Sequence, residues 1–130
     1  MDEEDVVDVL RNMVAAARPG GLILDLQVIR PDPVVEVDER AVCEIDGEPL
    51  FATADTATAA VDELIAARRL DEEATDDHDV RKHYASGADL VDDFADKQRK
   101  LPEAAVPDLL ALARPCVVRE RCRLRRLRVR

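Results

Sequence analysis

The segment Leu22–Ile29 constrains this chain more than any other stretch. Leu22, Leu24, Leu26 and Val28 alternate with Ile23, Asp25, Gln27 and Ile29. Alternation of this kind is the period of a β-strand. A strand so apolar on both sides normally lies inside a sheet with helices over its faces. Arg18, Pro19, Gly20 and Gly21 precede it and stop any helix before it. Arg30, Pro31, Asp32 and Pro33 follow, and the two prolines are expected to break the strand.

Helices should surround this strand. The residues from Asp2 to Ala17 read as one helix, with Asp2, Glu3, Glu4 and Asp5 at its dipole-favoured start. Val6, Val7, Leu10, Met13, Val14 and Ala17 recur at helical steps and form its apolar face. Val34–Asp38 and Ala41–Asp46 read as a hairpin turning at Glu39 and Arg40, a local two-stranded unit at 34–46. Thr53 is the expected N-cap of a helix reaching Arg69, with Ala57, Val61, Leu64 and Ile65 inward. Ser86 is the expected N-cap of another, with Asp89 as its capping partner and Leu90, Val91 and Phe94 buried. Pro102 and Pro107 introduce a short last helix. The segment 71–84 has little apolar periodicity and fits no pattern on its own.

Charge sets a second constraint. The net charge is −10 over 130 residues, a length that suits one domain. Residues 1–110 hold 11 Lys and Arg against 28 Asp and Glu, whereas 111–130 hold eight Arg against one Glu. The closing stretch 117–129 alternates apolar residues with Arg119, Arg121, Arg123 and Arg125, and its register shifts near Arg126, where a bulge is expected. Such an acidic body repels phosphate backbones. With only Phe51, Tyr84 and Phe94 as aromatics, it has few rings on which bases could stack. Nucleic acid is therefore not an expected partner. The acidic N-terminus does not read as a signal or transit peptide. No apolar run reaches the length of a membrane span, and a cytoplasmic location is expected.

Candidate sites are sparse. His78 and His83, with Asp76, Asp77 and Asp79, suggest a metal, but on a strand the two histidines point to opposite faces. Ser86 lacks the elbow motif of a nucleophile. Asp25 and Gln27 could line a ligand pocket, or form a polar pair under a helix. Cys43, Cys116 and Cys122 have no metal-ligand spacing and read as reduced, buried thiols. No residue is assigned as catalytic, cofactor-binding or metal-binding.

The order of these parts resembles a known family. The segment Leu10–Leu26, LRNMVAAARPGGLILDL, resembles the fourth helix and fifth strand of class I S-adenosylmethionine-dependent methyltransferases, which have a Rossmann-like fold. The hairpin Val35–Leu50 and the ending VRERCRLRRLRV look like the C-terminal part of its bacterial members. The resemblance implies an α/β domain over 1–130 with about four helices. It implies a three-stranded core sheet ordered 22–29, then 117–129 antiparallel in the middle, then 72–83. On that order the acids of 71–79 lie beside the arginines of the last strand, where opposite charges stabilise pairing.

The resemblance also implies what is absent. The family holds its cofactor with a glycine-rich loop and an acid in its N-terminal half, and Gly20, Gly21, Gly47 and Gly87 form no such loop. The expected function is that of a methyltransferase-like fragment without methyl transfer or bound cofactor of its own, acting as an interaction or dimerisation module or an inactive remnant. Half of a split enzyme and a small acidic ligand-binding protein are the alternatives. The parent fold would supply Leu22–Ile29 with a further neighbouring strand. A homodimer or a partner chain pairing along that edge, or a local segment covering it, is therefore expected.

Overall fold

The computed structural model describes residues 3–97 and 99–130. It is an α/β chain with a four-stranded antiparallel sheet. The elements are α1 (Glu3–Ala16), β1 (Leu22–Val37), β2 (Arg40–Glu44), α2 (Leu50–Ala66), β3 (Leu70–Tyr84), α3 (Gly87–Phe94), α4 (Val106–Ala111) and β4 (Cys116–Val129). The strand order is β2-β1-β4-β3, so β4 stands between β1 and β3 as expected. Asp2, expected to open the first helix, lies outside the described residues.

Two expectations about β1 are corrected. The strand does not break at Arg30–Pro33 but continues to Val37. Proline lacks a backbone donor, yet its carbonyl still accepts, and Ile45 N–H donates to Pro33 O at 2.8 Å. Asp32 adds a side-chain acceptor for Gly47 N–H at 3.0 Å. The 34–46 hairpin is therefore no separate unit. Its first arm is the end of β1 and its second is β2, which makes the sheet four-stranded rather than three-stranded with an added hairpin. The turn sits one residue earlier than expected, at Asp38 and Glu39, whose φ angles of 51° and 65° are those of a two-residue hairpin turn.

The chain divides into two compact units. The first holds the chain up to Ile29, Phe51–His78 and Cys122–Arg130. Its core is Val14, Ile23, Val61, Leu70, Leu127 and Val129, with Leu10, Ala17, Leu64 and Ile65 against it. Helix α2 begins at Leu50, not at Thr53, because Phe51 and Ala54 are buried and carry the helix back by a turn. It ends with Arg68 N–H on Ile65 O and Arg69 N–H on Leu64 O, a Schellman closure in which Arg68 takes φ 59°. An arginine holds the left-handed position that glycine occupies without strain. Arg68→Gly is expected to raise stability by about 0.5–1 kcal/mol, read as a higher urea midpoint at unchanged slope.

The second unit holds Arg30–Leu50 and Asp79–Arg121. Its core is built from Val35, Ile45, Tyr84, Leu90, Phe94, Leu109, Cys116 and Val118. Ser86 caps α3 as expected, its hydroxyl accepting from Asp89 N–H at 3.2 Å. The Tyr84 hydroxyl donates to Asp93 at 2.5 Å. Burial and this bond push the Tyr84 phenol up to about 12. Tyr84, then Lys82 and Lys97, hold the Asp93 carboxyl well below the usual range.

The burial pattern of β4 changes phase along the strand. Cys116, Val118 and Cys122 are buried at even positions, whereas Arg125, Leu127 and Val129 are buried at odd ones. The change falls between Cys122 and Arg125, ahead of the expected position at Arg126.

Candidate association site

The first unit leaves part of its apolar surface uncovered. Ile23 is buried in the core, yet on the opposite side of β1 Leu22, Leu24 and Leu26 are 47%, 61% and 55% exposed. This corrects the expectation that helices cover both faces of the strand. Met13, read into the apolar face of α1, is about half exposed, and so is Val9, which lay outside that face.

A groove of about 310 Å³ runs between these elements. Its lining includes the five consecutive residues Ile23 to Gln27, together with Val9 and Met13 of α1 and Ala57 of α2. Successive strand residues point to opposite sides. Five in a row can line one groove only where it follows the strand's edge. On that side β2 pairs with β1 only from Val34 to Val37, so among the described residues no strand borders Leu22–Ile29 there. An open edge with alternating apolar side chains is a template for another strand.

Asp25 and Gln27 meet in this groove. Gln27 Nε2 donates to Asp25 Oδ1 at 2.9 Å. Asp25 Oδ2 is buried and has no hydrogen-bond partner. The two residues bond to each other, as the polar-pair reading has it, and both line the groove. The groove follows the first half of β1 rather than a strand's carboxyl end.

No family model matches the chain, and neither does any curated protein or solved structure.

The arginines of β4 meet the acids of β3. In the first unit Arg123 makes two bonds to Asp77, at 2.8 and 3.0 Å. Arg126 and Arg128 both reach Glu73, and Arg130 reaches Asp71. Arg125 is buried and donates to Glu72 at 2.5 Å and to Asp62 of α2 at 2.9 Å. Burial works against the Arg125 charge, but these two carboxylates hold its pKa above the ordinary value. In the second unit Arg121 bonds Asp79, and Arg119 bonds Glu36. These arginines are charge partners within the sheet.

The remaining candidates take structural places. His78 Nδ1 lies 3.0 Å from Asp76 Oδ2, and no group of three metal-ligating side chains occurs among the described residues. His83 lines a separate charged pocket of about 470 Å³ in the second unit, with Glu36, Asp38 and Arg81. Glu36 and Asp38 are already engaged there by Arg119 and Arg114. Cys116 and Cys122 are buried and Cys43 is half-buried; all three are free thiols. Burial pushes the Cys43 and Cys116 thiols up, away from the reactive thiolate. No helix among the described residues is long and apolar enough to cross a membrane.

The exposure of one strand face and one helix flank was not legible beforehand. Periodicity marks which residues share a face, but it does not say whether another part of the chain covers that face.

Proposed function

We propose that this chain is a non-catalytic association module that takes up an extended strand along the open edge of Leu22–Ile29. The observation that carries the reading is the groove along Ile23–Gln27, with its exposed leucines and the half-exposed flank of α1. Strand addition draws affinity from main-chain hydrogen bonds, and the alternating side chains set its specificity. The sheet offers both along this edge. Methyltransferase descent belongs to the same proposal, and the antiparallel β4 between β1 and β3 supports it.

Hydrogen exchange tests the association. The outward amides of Leu22–Ile29 are expected to slow when the protein is concentrated or mixed with extended peptides of alternating leucines. Leu24→Lys, at an exposed position, should abolish that protection and leave the helical circular dichroism intact. Free exchange of these amides at every concentration, and with every such peptide, would overturn the reading.

A further inference from the structure

We infer that the charged pocket of the second unit binds a free α-amino acid with an apolar side chain. The inference is independent of the association reading and uses no residue of the Leu22–Ile29 edge.

The pocket lies on the sheet face turned away from the core. Val35, Tyr84, Cys116 and Val118 are buried in the core of the second unit. Successive strand residues point to opposite sides, so their neighbours Glu36, His83 and Val117 stand on the other face. There they line a cavity of about 470 Å³ together with Asp38, Glu39, Arg81 and Pro115. That volume lies in the range of small-molecule sites.

The strand order sorts the charges. Arg81 and His83 stand on β3, Glu36 stands on β1, and Asp38 and Glu39 form the turn after it. Val117 belongs to β4, which runs between those two strands. The basic side chains therefore line one wall and the carboxylates the other, with Pro115 and Val117 as an apolar floor.

Only part of this charge is engaged within the protein. Glu36 accepts from Arg119 Nε at 3.0 Å, and Asp38 pairs with Arg114. Among the described residues no side chain bonds Glu39 or His83. Arg81 comes only within 4.0 Å of Asp79, too far for a hydrogen bond, and Asp79 already accepts from Arg121 at 3.2 Å. Arg81 and Glu39 thus present an open fork of donors and an open carboxylate from opposite walls.

This arrangement selects by charge. Arg119 and Arg114 neutralise Glu36 and Asp38, so Arg81 and Glu39 leave the pocket without net charge. A simple anion would meet three carboxylates, and a simple cation would meet Arg81. A neutral molecule that carries both charges meets neither penalty. Arg81 can take a carboxylate through two parallel N–H bonds, and Glu39 can accept from an ammonium. Strands lie about 4.8 Å apart, so walls two spacings apart are separated by about 10 Å. A bond of about 2.8 Å at each end leaves about 4 Å between the charged groups of the ligand. An α-amino acid, with both groups on one carbon, suits that span. Its side chain then rests on Pro115 and Val117, which favours an apolar one.

Nuclear magnetic resonance titration of the full chain with L-leucine is the test. The amide signals of Glu39, Arg81, His83 and Val117 should shift, and those of Leu22–Ile29 should not. Leucinamide lacks the carboxylate and N-acetylleucine lacks the ammonium, so each should bind at least about ten-fold more weakly than leucine. Arg81→Gln should lose at least about ten-fold in leucine affinity and no longer distinguish leucine from leucinamide. Glu39→Gln should cease to distinguish leucine from N-acetylleucine. Both residues are exposed, so both variants should keep the circular dichroism of the parent.

Leucinamide binding as tightly as leucine would overturn the inference, since the acidic chain would then be attracting a cation alone. So would an absence of shifts around the pocket at millimolar leucine. Either result leaves the association reading to be judged separately by exchange of the edge amides.

Discussion

Gly87→Ala is expected to destabilise the second unit by about 3 kcal/mol. A Cβ built on Gly87 would lie 1.9 Å from the carbonyl oxygen of Leu109 and 2.8 Å from its carbonyl carbon. Both atoms are backbone, so rotation of a side chain cannot relieve the overlap. Gly87 N–H also donates to Leu112 O at 3.0 Å, which ties the start of α3 to the end of α4. Making room for one methyl group must move these helices apart. Leu90, Phe94 and Leu109, all buried in the same core, would lose contact with one another. Urea unfolding followed by circular dichroism reads the loss. Gly20→Ala serves as control, because Gly20 has φ 82° and no atom near its would-be Cβ. It should cost about 1 kcal/mol of backbone strain alone. If the Gly87 variant lost no more than that control, the close backbone approach of α3 and α4 would be refuted.

The second large effect concerns Arg125. Its side chain is 8% exposed, whereas those of Glu72 and Asp62 are 31% and 59% exposed. Arg125→Met keeps much of the buried volume but leaves both carboxylates without their cation. Removing one partner of a fully buried pair costs about 3–5 kcal/mol. Solvent reaches these carboxylates, so the expected loss is smaller, about 2 kcal/mol. Converting Glu72 to Met as well should recover most of that loss, because the double variant replaces the bonded pair by apolar packing. A double variant no more stable than Arg125→Met alone would show that Arg125 acts through its aliphatic stem instead.

The ladder of which Arg125 is part explains why a chain with eight arginines in its last stretch need not present a basic tail. Arg123, Arg126, Arg128 and Arg130 each bond an acid of β3 in the first unit, and in the second Arg121 bonds Asp79 of β3 while Arg119 bonds Glu36 of β1. Exposed pairs of this kind contribute little individually. Their value lies in register, because a slip of one residue would turn each arginine away from its carboxylate. The charge asymmetry of the sequence thus acts within the sheet.

Several features were written locally and could be read without a fold. The alternation of Leu22–Ile29 announced a strand, and Ser86 with Asp89 announced a capped helix. Both depend on neighbours within a few residues. The pairing of the acids of 71–79 with the arginines of 119–130 came instead from the strand order that the resemblance implies, with charge complementarity in support. The tertiary structure alone decided the rest. It carried β1 through Pro31 and Pro33, because Gly47 and Ile45 supply donors that their sequence positions do not reveal. It brought Leu109 against Gly87, a contact between segments twenty-two residues apart. It buried Ile23 and left Leu22, Leu24 and Leu26 open, although the repeat treats both sides alike. Periodicity fixes the direction of each side chain, whereas coverage depends on where distant segments pack. The open edge of β1 therefore emerges only from the folded chain.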